Sequence, residues 1–313
     1  MEMPLRVTKY RKFAFAIISV IGVILLIGGN FNVSPDTNNL DKTSTNNIQY
    51  GARLTNYHKT LCQLDHTRLK ALEHIDFEKE PARHLEQLFH EFVTNPFNSA
   101  CQELKRFGGR YINGCGQYPD GHKYVCMDDI LRDIETGNCL VYSFGIADDW
   151  SFEDVMDNLG CTVYAFDPSV DYPKHRGNQI TFEKIGVSAA TDEKNKLFSM
   201  SEIFKKTGHT NTKISYLKFD IEGHELAGLP AWYHSGALAN VQQLGFEFHL
   251  NGERDAAGLF KTIRDLTLNE NYRLIVHDLN GVWANCRNYK QKTPYYNFAE
   301  VVLKRLDSDQ SCD

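Results

Sequence analysis

Apolar positions change their period along this chain. Leu54, Leu61, Leu64, Leu69, Leu72 and Ile75 recur near helical spacing. In "PARHLEQLFHEFV", Leu85, Leu88, Phe89 and Phe92 fall on one stripe behind Pro81, a residue suited to a first helical position. Two helices are expected there. The next segment, "GGRYINGCGQYPDGHKYVCMD", is broken by glycines and turn residues and reads as a loop-rich lead-in that covers a sheet edge.

From Cys139 onward, short apolar runs alternate with helical patterns. The strand-like runs are "CLVYSF", "CTVYAFD", "ITFEKIG", "ISYLKFDI", "VQQLGFEFHL", "YRLIVHDL" and "NFAEVVLKRL". Helical or mixed stretches such as "SFEDVMDNLG", "SMSEIFKKTG" and "DAAGLFKTIRDLTLNE" lie between the first six. Such alternation predicts an α/β domain with a mainly parallel sheet covered on both faces by helices. Only the loop from Gly281 to Tyr296 separates the last two runs, too short for a helical crossover, so the last strand should be antiparallel. The expected organisation is a helical and loop-rich lead-in over 53–138, a seven-stranded domain over 139–306 and a short tail over 307–313.

The N-terminal pattern is different. Arg6, Lys9, Arg11 and Lys12 precede an uncharged run from Phe13 to Gly29, long enough to span a hydrocarbon layer of ~30 Å at ~1.5 Å per residue. A cleaved signal peptide shares the basic flank, but its apolar core is usually about 7–15 residues and ends in a small-x-small site. This run ends in Gly28-Gly29-Asn30-Phe31, which favours an uncleaved signal anchor over 13–29 behind a cytosolic tail over 1–12. A polar tether over 30–52 comes next, with almost nothing to bury. The chain would then be a single-pass type II membrane protein of the secretory pathway, the Golgi among the candidate compartments, with everything after Asn30 lumenal or extracellular.

All eight cysteines lie beyond that run, where an oxidising compartment allows disulfides. Cys139 and Cys161, at strand starts, read equally well as small buried hydrophobes. No pair of CxxC motifs supports a structural zinc. The formal charge of -6, with no Lys/Arg run outside the N-terminus, disfavours nucleic acid as a partner.

The stretch "CLVYSFGIADDWSFEDVM" combines a strand, a sharp turn at Gly145 and a helix start. A dinucleotide-binding loop needs several glycines to approach a pyrophosphate. S-adenosylmethionine carries no phosphate, so one glycine can serve it, and an open parallel sheet closed by an antiparallel strand is the pattern of the class I methyltransferases that use it. Their strand-one motif, commonly acid-x-Gly-x-Gly-x-Gly, aligns here with Ser143 to Asp149: only Gly145 is kept, and Ser143 replaces the acid. Asp167 ends the next strand about 20 residues beyond the turn, where an acid can accept both ribose hydroxyls of an adenosine cofactor. Phe144, Gly145, Ile146, Asp167 and Pro168 are the cofactor-binding candidates; the alternative for Asp167 is a strand-end cap before Pro168.

The ordered set "DGHKYVCMD", "VYSFGIADDWSFE", "VYAFDPS", "LKFDIEGHE" and "GFEFHL" resembles the methyltransferase-like protein 24 group, over about Gly114 to Leu306. The related FkbM-type methyltransferases share an Asp-hydrophobic-Glu-Gly-x-Glu signature, matched here from Asp220 to Glu225. The resemblance implies a Rossmann-like class I fold and methyl transfer from S-adenosylmethionine by a membrane-anchored enzyme. It supplies no acceptor.

Strand alternation groups Lys218, Asp220 and Glu222 on one face, and Gln243, Gly245, Glu247 and His249 on one face of the next strand. Central parallel strands should be apolar on both faces, and α/β sheets bind ligands at these C-terminal ends. Asp220, Glu222, Glu247 and His249 are therefore the catalytic candidates, against the plainer view that partly solvated strand ends tolerate charge. His249, with an ordinary pKa of ~6.5, suits a general base, with Asp220 or Glu222 orienting the acceptor. A divalent metal on Asp220, Glu222 and His249 is the weaker option, since the spacing is no metal signature, and no metal is assigned. Glu225 reads as serving a helix dipole.

The leading expectation is thus an anchored S-adenosylmethionine-dependent methyltransferase acting on a small molecule, glycan or protein. The alternatives are a catalytically silent Rossmann-like binding module and, further off, an NAD-dependent oxidoreductase, against which the missing glycines count.

Overall fold

A computed structural model describes residues 59–111, 119–280 and 297–307. The expected cytosolic tail, anchor and tether and the tail beyond Asp307 lie outside the described residues, and among the described residues no helix is long and apolar enough to cross a membrane. The chain divides into two compact units, Met1–Thr67 and Arg68–Asp313. Of the first unit, residues 59–67 are described and are helical. The second unit holds the sheet and the candidate site.

Helix α1 (Ala82–Val93) begins behind Pro81, whose extended backbone serves as its N-cap, and buries Leu85, Phe89 and Phe92 as the stripe predicted. The lead-in holds more regular structure than its glycines suggest. Strands β1 (Leu104–Phe107) and β2 (Lys123–Cys126) pair antiparallel, and β2 runs directly into helix α2 (Met127–Glu135).

All seven strand-like runs enter one mixed sheet, which has eight strands rather than seven. In chain order they are β3 (Leu140–Phe144), β4 (Thr162–Phe166), β5 (His175–Arg176), β6 (Ile180–Glu183), β7 (Tyr216–Phe219), β8 (Gln243–His249), β9 (Tyr272–Leu279) and β10 (Phe298–Arg305). The extra strand is β5, a two-residue edge piece antiparallel to β6 and too short to leave a periodic signal. The spatial order is β9-β10-β8-β7-β3-β4-β6-β5. The five strands β8, β7, β3, β4 and β6 pair parallel. The last strand, β10, is antiparallel as expected, but it inserts between β8 and β9 and pairs with both.

Burial explains the runs. Every residue of β3, β7 and β8 is buried, as strands covered on both faces require. Cross-strand rings stack, Phe144 on Phe166 at 4.8 Å and Phe219 on Phe246 at 4.6 Å. Helices α3 (Ser151–Asn158), α4 (Met200–Thr207), α5 (Glu225–His234) and α6 (Glu253–Asn269) come after β3, the β6 region, β7 and β8 in turn.

Cys139 and Cys161 are not free hydrophobes: they form a disulfide across the starts of β3 and β4, and Cys101 bonds Cys126 at the end of β2. The bonds close loops of sequence separation 22 and 25. Each loop closure restricts the unfolded chain by about 3 kcal/mol. Peptide mapping without reductant should recover both linked pairs, and the double substitution Cys139→Ala/Cys161→Ala should cost about 3 kcal/mol in denaturant unfolding. Recovery of Cys139 and Cys161 as free thiols would contradict the fold as described.

Candidate active site

Strand β3 ends at Phe144, and the chain turns at Gly145 with φ +79. A Cβ at Gly145 would lie 1.8 Å from the carbonyl oxygen of Asp220, so only glycine lets the ends of β3 and β7 pass here. The Asp220 amide donates to the Phe144 carbonyl at 3.0 Å, and the Gly145 amide to the Phe166 carbonyl at 3.0 Å. Beneath the turn, Lys218 Nζ donates to the Gly145 carbonyl at 3.1 Å and to Glu153 Oε1 at 3.2 Å, and Ser143 Oγ donates to that same oxygen at 2.6 Å. Glu153 is fully buried on α3. A carboxylate is thus present under the turn, carried by position 153 instead of 143.

Asp167, at the end of β4, faces this turn. Its Oδ2 accepts from the amides of Ile146 at 2.9 Å and Ala147 at 2.8 Å, and its Oδ1 accepts from Ser169 N at 2.7 Å and Ser169 Oγ at 2.6 Å. Burial opposes its charge, but these donors outweigh burial and hold its pKa below the usual carboxylate value. As placed, a carboxylate's four acceptor positions are filled by the protein's own donors. Phe144, Gly145 and Ile146 form the turn that Asp167 braces, and Pro168 comes directly after it.

The four catalytic candidates meet at the C-terminal ends of β7 and β8. His249 Nε2 lies 3.9 Å from Asp220 Oδ1, 3.7 Å from Glu222 Oε2 and 3.9 Å from Glu247 Oε2. These separations are too long for hydrogen bonds. The real hydrogen bonds of His249 go elsewhere: its backbone N and its Nδ1 both reach Glu225 Oε1, at 2.7 and 2.9 Å. Glu225, at the first position of α5, is fully buried and also accepts from Gly223 N at 2.9 Å. It orients the imidazole, which corrects the reading that it serves only the helix dipole. Glu222 departs from the strand alternation: it lies past the end of β7 in a left-handed turn with φ +56, its side chain 81% exposed.

Lys123, from β2 in the lead-in, enters the same cluster. Its Nζ donates to Asp220 Oδ2 at 3.2 Å and to Glu300 Oε1, a residue of β10. Burial opposes the Lys123 charge, but Glu300, Asp220 and Glu247 outweigh it and raise its pKa. Burial also opposes ionisation of Asp220, yet Lys123, His249 and Lys218 keep its pKa low. Glu247 goes the other way: burial first, then Asp220 and Glu300, push its pKa well above the usual value, although Asn280 donates to its Oε1 at 2.6 Å. Burial disfavours the imidazolium of His249, but the hydrogen bond and charge of Glu225, with Asp220 and Glu222, raise its pKa overall.

Sequence reasoning missed Lys123, Glu225 and Glu300 as site residues. Glu225 carried a signal as the final acid of the Asp-hydrophobic-Glu-Gly-x-Glu signature, and Lys123 lay inside "DGHKYVCMD". Glu300 carried none, since its approach depends on where β10 inserts.

Gly145→Ala should lower stability by about 2 kcal/mol or more, from the left-handed backbone and the collision with Asp220 together. Thermal unfolding should move down by about 4–8 °C. Gly137, with φ +70 and nothing within 4 Å of its Cβ position, is the control for backbone strain alone. Equal losses in Gly145→Ala and Gly137→Ala would show that the close approach to Asp220 carries no weight.

The family described as a methyltransferase domain matches residues 56–291. Over 140 residues the chain is 31% identical to the Homo sapiens protein named probable methyltransferase-like protein 24, and 32% identical to its Rattus norvegicus counterpart. Each alignment covers 41% of this chain and 38% of the relative, so the matched stretch spans under two-fifths of those curated proteins. An rRNA methylase from Streptococcus thermophilus superposes with a TM-score of 0.34 at 12% identity, over 57% of this chain and 93% of that one. An uncharacterized Listeria monocytogenes protein gives a TM-score of 0.30 at 11% identity, over 58% and 67%. Likenesses this slight bear on nothing further. The motif resemblance to the methyltransferase-like protein 24 group is borne out by the curated relatives, and with more than half of its residues matched the chain belongs to the methyltransferase-domain family.

Proposed function

We propose that the chain transfers a methyl group from S-adenosylmethionine to an acceptor bound over the cluster of Asp220, Glu222, Glu247 and His249. One observation carries this reading: the backbone of Asp220 abuts the Gly145 turn, so the candidate cofactor turn and the acidic cluster share a wall. S-adenosylmethionine supplies an electrophilic methyl on a sulfonium sulfur. Phe144, Gly145, Ile146, Asp167 and Pro168 are the residues to hold it. The ionised Asp167 fits an adenosine ribose chemically, because Ser169 Oγ, which occupies one of its acceptor positions, is a hydroxyl donor of the same kind as a ribose hydroxyl.

The cluster aligns the acceptor and takes its proton. The acceptor's lone pair would take the methyl that the bound cofactor supplies, leaving its sulfur as a neutral thioether, and His249 Nε2 would accept the proton the acceptor loses. Five carboxylates surround this point, Asp220, Glu222, Glu225, Glu247 and Glu300, which favours a small molecule, glycan or protein over a phosphate-rich acceptor. The filled acceptor positions of Asp167 favour a second reading, a catalytically silent binding module. The single glycine still argues against NAD.

Calorimetry on the full chain should show binding of S-adenosylmethionine and of its demethylated product but not of NAD, and weaker binding in Asp167→Ala by about 0.5–1.5 kcal/mol per lost hydrogen bond. His249→Ala should leave that affinity nearly unchanged while lowering the transfer rate by roughly 10²–10⁴-fold. Tight NAD binding, or unchanged affinity in Asp167→Ala, would overturn the cofactor assignment.

The same reading places the protein in the secretory pathway, tethered through Phe13 to Gly29 with the domain lumenal. The disulfides Cys101–Cys126 and Cys139–Cys161 support it, because such bonds persist in oxidising compartments. Protease added outside sealed microsomes should spare the chain beyond Asn30. Digestion of that portion would contradict the topology.

A further inference from the structure

In this cluster the acidic groups outnumber the basic ones. Five acidic side chains lie around Lys123 and His249; Lys123 bonds two of them, while Lys218, which also favours the Asp220 charge, is itself held by the buried Glu153. Glu247, Glu225 and Glu300 are at most 3% exposed, so solvent does little to offset them.

Around His249 Nε2 the spacing is that of ligands, not of hydrogen bonds. His249 Nε2 stands 3.7–3.9 Å from one carboxylate oxygen each of Asp220, Glu222 and Glu247, beyond hydrogen-bond reach. Donors held about 2.1 Å from a shared cation lie about 3–4 Å from one another. One ligand atom each from Asp220, Glu222 and His249 falls within 4.8 Å of the others, and the same holds for Asp220, Glu247 and Glu300.

Two further observations point the same way. The His249 side chain is 8% exposed, and its Nδ1 is committed to Glu225, which turns Nε2 toward the three carboxylate oxygens. A carboxylate behind an imidazole is the usual support of a metal-bound histidine. Glu300, also buried, bonds Lys123 through Oε1 while its Oε2 has no hydrogen-bond partner among the described residues.

We infer that Asp220, Glu222 and His249, with a Glu247 oxygen 3.9 Å from the same imidazole nitrogen, bind a divalent first-row cation. An imidazole nitrogen among hard carboxylates suits Mn2+ or Zn2+ better than Mg2+. With the ion bound, His249 Nε2 would be a ligand and not the base; the ion would hold the acceptor's oxygen and lower its pKa, the proton leaving to a neighbouring carboxylate or water. That role deepens the methyl-transfer reading and rests on it; the binding itself does not.

The test uses the full chain stripped with chelator and titrated with Mn2+ by electron paramagnetic resonance. The expected result is one tightly bound ion per chain, displaced by Zn2+. Glu222→Gln, a surface change that spares the fold, should weaken binding about tenfold or more, and Glu225→Gln should weaken it by about 10–100-fold. No stoichiometric binding, or affinity unchanged in both variants, overturns the site. Calorimetry with S-adenosylmethionine on the same stripped sample separates the proposals. Cofactor bound without Mn2+ binding overturns the cation alone, and Mn2+ bound without cofactor affinity overturns methyl transfer alone.

Discussion

The backbones of Gly145 and Asp220 pass so closely that no side chain fits between them, and both halves of the candidate site hang on that contact. It fixes where β3 ends relative to β7, and so where the turn braced by Asp167 stands relative to Asp220. Beneath it, the Ser143–Glu153–Lys218 network holds the turn's carbonyl from the other side. A single glycine therefore does two things: it admits the left-handed turn, and it brings the strand carrying the acidic signature against that turn.

Buried charge is the second constraint. Removing one member of a buried ion pair typically costs several kcal/mol, because the partner is left desolvated and unpaired. Lys123 bridges Asp220 and Glu300, and in doing so joins the lead-in to two strands of the sheet. The attachment is reinforced by Gln243, whose side-chain amide bonds both the N–H and the carbonyl of Cys126, and by Tyr216, whose hydroxyl donates to the Tyr124 carbonyl. The lead-in thus contributes to the site and is more than a cover for the sheet edge.

The alternation of strand-like and helix-like runs was enough to place seven strands, the turn at Gly145 and the acid at Asp167, because buried strands and amphipathic helices leave local periods in the sequence. The same periodicity showed that Asp220, Glu247 and His249 break an apolar pattern at the ends where α/β sheets bind ligands. Local pattern could not show which strands become neighbours. β10 inserts between β8 and β9, bringing Glu300 to Lys123 across a sequence separation of 177. Nor could it show that Glu225 turns inward to His249, or that Asp167 is held by four donors, since these depend on side-chain directions set by packing. Sequence by itself determined the elements and the chemistry they carry. The tertiary structure alone decided which charges meet, because the pairings lie between residues far apart in the chain, and only the assembled sheet brings them within reach.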